Sequence, residues 1–103
     1  MIKLLIIADD FTGALDTCVS FAEKHIPARV LTARKLEGCL PEDTEVLAVD
    51  TETRHLPAHE AYGIVRDVVR SAVEAGIPYL YKKVDSTLRG NVGAEIAAVM
   101  DAA

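Results

Sequence analysis

Leu4 to Ala8 is an unbroken apolar run that ends in two adjacent aspartates, Asp9 and Asp10. A strand solvated on one face alternates polar with apolar residues, so a continuous run marks a strand covered on both faces, as in a parallel sheet. Lys3 to Ala8 is therefore expected to be a first, buried strand. From Thr12 the period changes. Ala14, Leu15, Cys18, Val19 and Ala22 recur at helical spacing up to His25, and Ile26-Pro27 closes the segment.

The alternation continues. Ala28 to Thr32 reads as a second strand, and after a polar stretch holding Gly38, Pro41, Glu42 and Asp43, Val46 to Val49 reads as a third. The longest helix opens at Pro57, carries Ala61, Ile64, Val65, Val68, Val69 and Ala72 on one stripe, and stops at Gly76. Ile77 to Tyr81 is a fourth strand. A last helix begins near Gly90, with Val92, Ile96, Val99 and Ala103 as its apolar positions. Strands alternating with helices require parallel pairing and crossovers, so the expected fold is an α/β, three-layer, Rossmann-like domain. Four strands and a terminal helix read as the front part of a larger doubly wound domain.

Composition narrows the function. Of 103 residues, 16 are Asp or Glu and 11 are Lys or Arg, a formal net charge of −5, and 50% are hydrophobic. That supports one folded domain rather than disorder. Proteins dedicated to nucleic acids or anionic membrane surfaces present a net-basic face, so neither partner is expected. No apolar run approaches the ~18 residues a membrane span needs, and the chain reads as soluble and cytoplasmic. Cys18 and Cys39 form no C-x-x-C pair and have no histidine at metal-ligand spacing, so both read as free thiols and no metal site is expected.

Three polar clusters each follow an expected strand: Asp9 to Gly13, Asp50 to His55, and Lys82 to Asn91. In a parallel sheet all three lie at one edge, outside the carboxyl ends of the strands, where open α/β folds bind ligands. Taken singly, each has a plain reading. Asp10 or Thr12 would serve as an ordinary helix cap, Asp50 would end a strand, and Arg54 would sit in water. His55 and His59 lack a third ligand and read as exposed. Two adjacent carboxylates are harder to explain as capping, because one acceptor suffices and the second repels it unless a cation intervenes. Lys82, Lys83 and Arg89 gather positive charge in an acidic chain, and Gly90-Asn91-Val92-Gly93 opens a helix whose amide hydrogens favour an anion. Neither a Walker loop nor a dinucleotide fingerprint occurs. Carboxylates facing cations suit a polyhydroxylated acid, whose hydroxyls donate to the former and whose carboxyl group is held by the latter.

The blocks I-A-D-D-F-T-G-A-L-D-T (Ile7 to Thr17), V-D-T-E-T-R-H-L-P (Val49 to Pro57) and Y-K-K-V-D-S-T-L-R-G-N-V-G-A-E (Tyr81 to Glu95) resemble, in order, those of the N-terminal domain of four-carbon acid sugar kinases. The resemblance implies a two-domain, ATP-dependent transferase of carbohydrate metabolism that phosphorylates threonate, erythronate or an oxo-tetronate on a terminal hydroxyl. Residues 1–103 would be the front part of its sugar-acid-binding domain. ATP and Mg²⁺ would be held by a C-terminal domain that this chain does not contain, leaving the isolated piece inactive.

Carried over by motif, the resemblance implies that Asp9, Asp10, Thr12 and Gly13 form one substrate loop. Thr53, where the family usually has serine, and Arg54 form a second. Lys82, Lys83, Asp85, Ser86, Arg89 and Gly90 form the third. Arg54, Arg89 and Lys82 would hold the carboxylate or the transferring phosphoryl group, and Asp10 first, Asp85 second, would be the base. The alternative is a receiver-like phosphoacceptor domain with an Mg²⁺ site at Asp9, Asp10 and Asp50, although such a domain places its lysine after a fifth strand. A D-x-D-x-T phosphatase is disfavoured because Asp9 and Asp10 are adjacent.

Overall fold

A computed structural model describes residues 1–36 and 40–103, so the expectation for the Cys39 thiol lies outside the described residues. The elements run β1 (Leu4–Ala8), α1 (Phe11–Ala22), β2 (Ala28–Thr32), β3 (Val46–Asp50), α2 (Ala58–Glu74), β4 (Tyr79–Lys82) and α3 (Val92–Ala102). The strands form a parallel sheet in the order β2-β3-β1-β4. This is the expected α/β domain.

Side chains alternate across a strand, and the register carries that alternation through the sheet. Leu5 and Ile7 pair with Leu47 and Val49, and all four face the layer of α2, packing on Val65, Val68, Val69 and Ala72, with Ala98 of α3 in the same cluster. Ile6 and Ala8 face the other way with Val46 and Ala48 and meet Ala14 and Cys18 of α1. Helices on both faces explain why β1 and β3 lack polar alternation.

The ends of α2 follow from local chemistry. Pro57 is not the first helical residue but the cap before it, with ψ at 147°, and its carbonyl accepts from Glu60 and Ala61. At the other end Gly76 takes φ of +79°, the left-handed conformation open to glycine. Gly76 N–H then donates to Val73 O at 3.0 Å and Ile77 N–H to Ala72 O at 3.1 Å, which closes the helix as a Schellman motif. Ile77 buries its side chain in the core beside Ala72. This use of Ile77 and the missing N–H of Pro78 delay β4 to Tyr79.

Two apolar stripes pack only in part. Helix α3 sets Val99 and Ala102 against the core, with Val92 half-buried and Ala103 exposed. Its fully buried residues are Glu95 and Ala98, and Ile96 is 39% exposed. The helix is turned by a carboxylate whose partners lie inside. On α1, Leu15 and Val19 face outward with Phe11, while Ala14 and Cys18 are buried against the sheet and Phe21 packs on the same cluster.

Leu47, 1% exposed at the centre of the larger cluster, tests this packing. Leu47→Ala is expected to lower unfolding free energy by about 2–5 kcal/mol, read from urea titration, because the surrounding layers only partly close the cavity.

Candidate functional site

The reversal of strand order around β1, with β3 and β2 on one side and β4 on the other, opens a crevice at the carboxyl edge of the sheet. A cavity of about 370 Å³ lies there, lined by Asp9, Asp10, Thr12, Gly13, Asp16, Arg54, Lys83, Val84, Asp85, Ser86 and Arg89. All three clusters singled out in the sequence contribute to the wall.

Arg54 is the centre. Its guanidinium lies 3.1 Å from Asp9 Oδ1, 3.2 Å from Asp10 Oδ2 and 3.5 Å from Asp85 Oδ1, with the side chain only 11% exposed. These acids, Asp9 foremost, hold its proton still more firmly. The backbone reinforces the placement, since Thr53 N–H and Arg54 N–H both donate to Asp9 O. Asp10 serves two purposes at once: Oδ1 caps α1 by accepting from Gly13 N–H at 2.9 Å, and Oδ2 faces Arg54. Asp10 is thus a helix cap through one oxygen and part of the cavity wall beside Arg54 through the other.

The loop after β4 folds over this pair. Asp85 accepts from Arg89 Nε at 3.0 Å and Nη2 at 2.9 Å, from Thr87 N–H at 3.0 Å, from the Thr87 hydroxyl, and from Arg89 N–H. The Arg89 guanidinium, with Thr87 second, holds the Asp85 carboxyl well below the usual carboxylate range. Gly90, at φ +93°, lies so close to the pair that an added Cβ would collide with Asp9 Oδ2 and come within 3.4 Å of Arg54 Cγ. Asn91 anchors the loop by donating to Thr53 O and Leu56 O.

Three sequence-derived site residues do not line the cavity. Gly90 acts from behind Asp9. Thr53 is fully buried, its hydroxyl donating to Glu95 Oε2 at 2.9 Å. Lys82, expected to hold substrate, instead places Nζ 3.3 Å from Glu95 Oε1, with 9% of its side chain exposed. Lys83, whose Nζ rests on Val84 O, is the lysine on the cavity wall.

Two residues were missed. Asp16 lies one helical turn beyond Thr12 and Gly13, a spacing that could have revealed it. Glu95 is an acid inside an otherwise apolar helical stretch, which was the available signal. Burial pushes its carboxyl up while Lys82 pulls it back.

Asp50, the third acid of the receiver reading, is fully buried at the end of β3. Its Oδ1 accepts from Glu52 N–H, and its Oδ2 has no hydrogen-bond partner among the described residues. No three His, Cys, Asp or Glu side chains gather to hold a metal among the described residues. Asp9 and Asp10 are engaged by Arg54, so this arrangement does not fit Mg²⁺. His55 and His59 are exposed, as expected.

Burial, with the neighbouring Glu52 carboxyl adding to it, pushes Asp50 up to about 6. The folded state therefore keeps a proton that the unfolded state has released, and stability falls as pH rises from about 4 through 6. Asp50→Asn is expected to flatten that fall, as measured by chemical unfolding at several pH values; an unchanged slope would clear Asp50. Gly90→Ala is expected to cost about 1–3 kcal/mol from its backbone conformation alone, and the collision with Asp9 should add to the loss of thermal stability.

Comparison with known proteins places these features. The chain matches the sugar-binding N-terminal domain family over residues 4–103. It is 41% identical to the D-threonate kinase of Salmonella typhimurium over 97% of this chain and 23% of that protein. It is 37% identical to the D-erythronate kinase of Heliobacterium modesticaldum over 98% and 23%, and 34% identical to the 3-oxo-tetronate kinase of Escherichia coli over 99% and 27%. It thus spans about a quarter of the length of these curated relatives. A crystal structure from Bordetella bronchiseptica, described as a domain of unknown function in a domain-swapped dimer with bound citrate, superposes with a TM-score of 0.90 at 41% identity, covering 97% of this chain and 26% of that one. With its sheet-edge cavity and its motif blocks inside the matched span, the chain belongs to the family of sugar-binding N-terminal domains.

Proposed function

We propose that this chain supplies the sugar-acid site of an ATP-dependent kinase that phosphorylates a four-carbon sugar acid of the threonate, erythronate or oxo-tetronate type on a terminal hydroxyl. The observation that carries the reading is the cavity in which Asp9, Asp10, Asp16 and Asp85 meet Arg54, Lys83 and Arg89. Its volume lies within the range of small-molecule sites. The curated relatives named for kinases of such acids support the substrate class. Citrate in the Bordetella structure, a small hydroxylated polycarboxylate, is consistent with it.

The roles divide by availability. Arg54 is committed to three carboxylates and organises the site. Arg89, whose Nε and Nη2 hold Asp85 but whose side chain is 67% exposed, and Lys83 are the cations on the cavity wall placed to take the substrate carboxylate. Thr12, Ser86 and Asp16 face the hydroxyls. Asp10, with 27% of its side chain exposed against 7% for Asp9, is the better placed to receive the proton of the attacking hydroxyl. Asp85, expected as the second candidate base, is engaged by its own loop and is a weak proton acceptor. The described residues gather no metal-ligand cluster and carry neither a Walker loop nor a dinucleotide fingerprint, and in this reading nucleotide and metal are held by another part of the complete protein.

Calorimetric titration of the complete protein with D-threonate and D-erythronate, with and without ATP and Mg²⁺, tests the proposal. Binding without nucleotide, and ATP-dependent product formation, are expected; absence of both would overturn it. Asp10→Asn is expected to retain sugar-acid binding while phosphorylation slows about 10²–10⁴-fold, the usual contribution of a positioned base. Unchanged turnover would remove Asp10 from that role.

A further inference from the structure

Behind the cavity wall lies a second polar layer that faces the core. Glu95, 1% exposed on α3, is its hub. Glu95 Oε2 accepts from the Thr53 hydroxyl at 2.9 Å, and Thr53 Oγ1 lies 2.7 Å from Thr51 Oγ1. With the Thr53 proton given to Glu95, the single Thr51 hydroxyl proton goes either to Thr53 Oγ1 or to Ala8 O, 3.1 Å away, and Thr51 N–H donates to Ala8 O at 2.9 Å in both cases. On the other side, Glu95 Oε1 faces Lys82 Nζ at 3.3 Å, and that ammonium also donates to Lys83 O at 2.8 Å.

The three endpoints share a property. Ala8, Thr53 and Lys82 each immediately precede a residue of the cavity wall: Asp9, Arg54 and Lys83. Ala8 and Lys82 are the last residues of β1 and β4, where successive residues point to opposite sides. Thr53 follows Glu52, whose φ of +52° turns the chain so that Thr53 is buried while Arg54 lines the cavity. A contact to one residue of such a pair therefore sets the direction of the next. One buried carboxylate thus holds the carboxyl ends of β1, β3 and β4 in mutual register. A hydrophobic residue could fill the same volume but would fix none of these directions.

We propose that Glu95 is a positioning residue, acting through Thr53, Thr51 and Lys82 to aim Asp9, Arg54 and Lys83 into the cavity. Its consequence for catalysis rests on the sugar-acid kinase reading; the structural part does not. Lys82 is accordingly the counterion of Glu95 and not a substrate ligand.

Two readouts on the complete protein separate these levels. The first is ligand-free amide hydrogen exchange in Glu95→Gln, which keeps the shape but leaves the Lys82 charge unpaired. The Thr53, Arg54 and Lys83 amides, which donate to Asp9 O and Ile7 O, are expected to exchange at least about tenfold faster while those of Leu5 to Ile7 stay protected. Unchanged exchange at the three amides, or uniform acceleration everywhere, overturns the proposal. The second is kinetics of the same variant and of Glu95→Asp, which retains the charge but loses reach. The sugar-acid KM is expected to rise about tenfold or more, with the ATP KM within about twofold. A sugar-acid KM equal to that of the parent overturns the catalytic part.

Should Glu95→Gln fail to fold, Glu95→Gln/Lys82→Met removes the stranded ammonium and carries both measurements, with the same expected and overturning results. A parent protein that binds no sugar acid refutes the kinase reading alone, because the exchange experiment decides the positioning role without ligand.

Discussion

A single guanidinium makes the carboxyl edge of this sheet possible. Parallel pairing brings the ends of β1, β3 and β4 together, and three of the side chains delivered there, Asp9, Asp10 and Asp85, are acids. Unscreened, they would repel one another. Arg54 meets all three from the loop after β3, converting repulsion among three segments into attraction toward one point. Gly90 follows from this arrangement: the loop after β4 crosses directly over the ion pair, where a side chain would not fit. Asp10 does too, its first oxygen capping a helix and its second closing the cluster.

The same economy governs the layer behind. Buried ion pairs are not in themselves strong contributors to stability, since the Coulombic gain is largely offset by desolvation. What Lys82 and Glu95 provide is direction. A hydrophobic contact tolerates rotation, whereas a carboxylate hydrogen-bonded to a hydroxyl through one oxygen and ion-paired with an ammonium through the other does not. Helix α3 accordingly presents Glu95 inward and leaves Ile96 39% exposed, an inversion of what burial of apolar area alone would select.

How much was legible in the sequence depended on the range of the interaction that decides each feature. The apolar run of β1 and the stripe of α2 reflect burial on a fixed period, and both were readable. So was the gathering of three polar loops at one edge, because topology alone places strand ends together. The face of α3 was not, because its rotation is set by partners 13 and 42 residues away in the chain, Lys82 and Thr53. The choice between Lys82 and Lys83 was lost for a related reason. Adjacent residues at a strand end point in opposite directions, so assigning the cavity lysine needs the strand boundary to within one residue. The same limit hid the burial of Thr53 beside Arg54. Asp85 looked like a free base because its saturation by Thr87 and Arg89 depends on a tight turn that residue types alone do not specify.

The central position of β1 also sets an order in time. Leu4 is bonded laterally to the neighbourhoods of Val46 and Tyr79, so the first of these four strands to be synthesised is among the last to be enclosed. At about 5–20 residues per second, roughly 4–15 s separate the emergence of β1 from that of β4. During that interval a strongly apolar segment has no complete sheet to join. The paired aspartates at its end then have a second use, as charged gatekeepers that discourage association between nascent chains before Arg54 and the loop after β4 arrive to neutralise them.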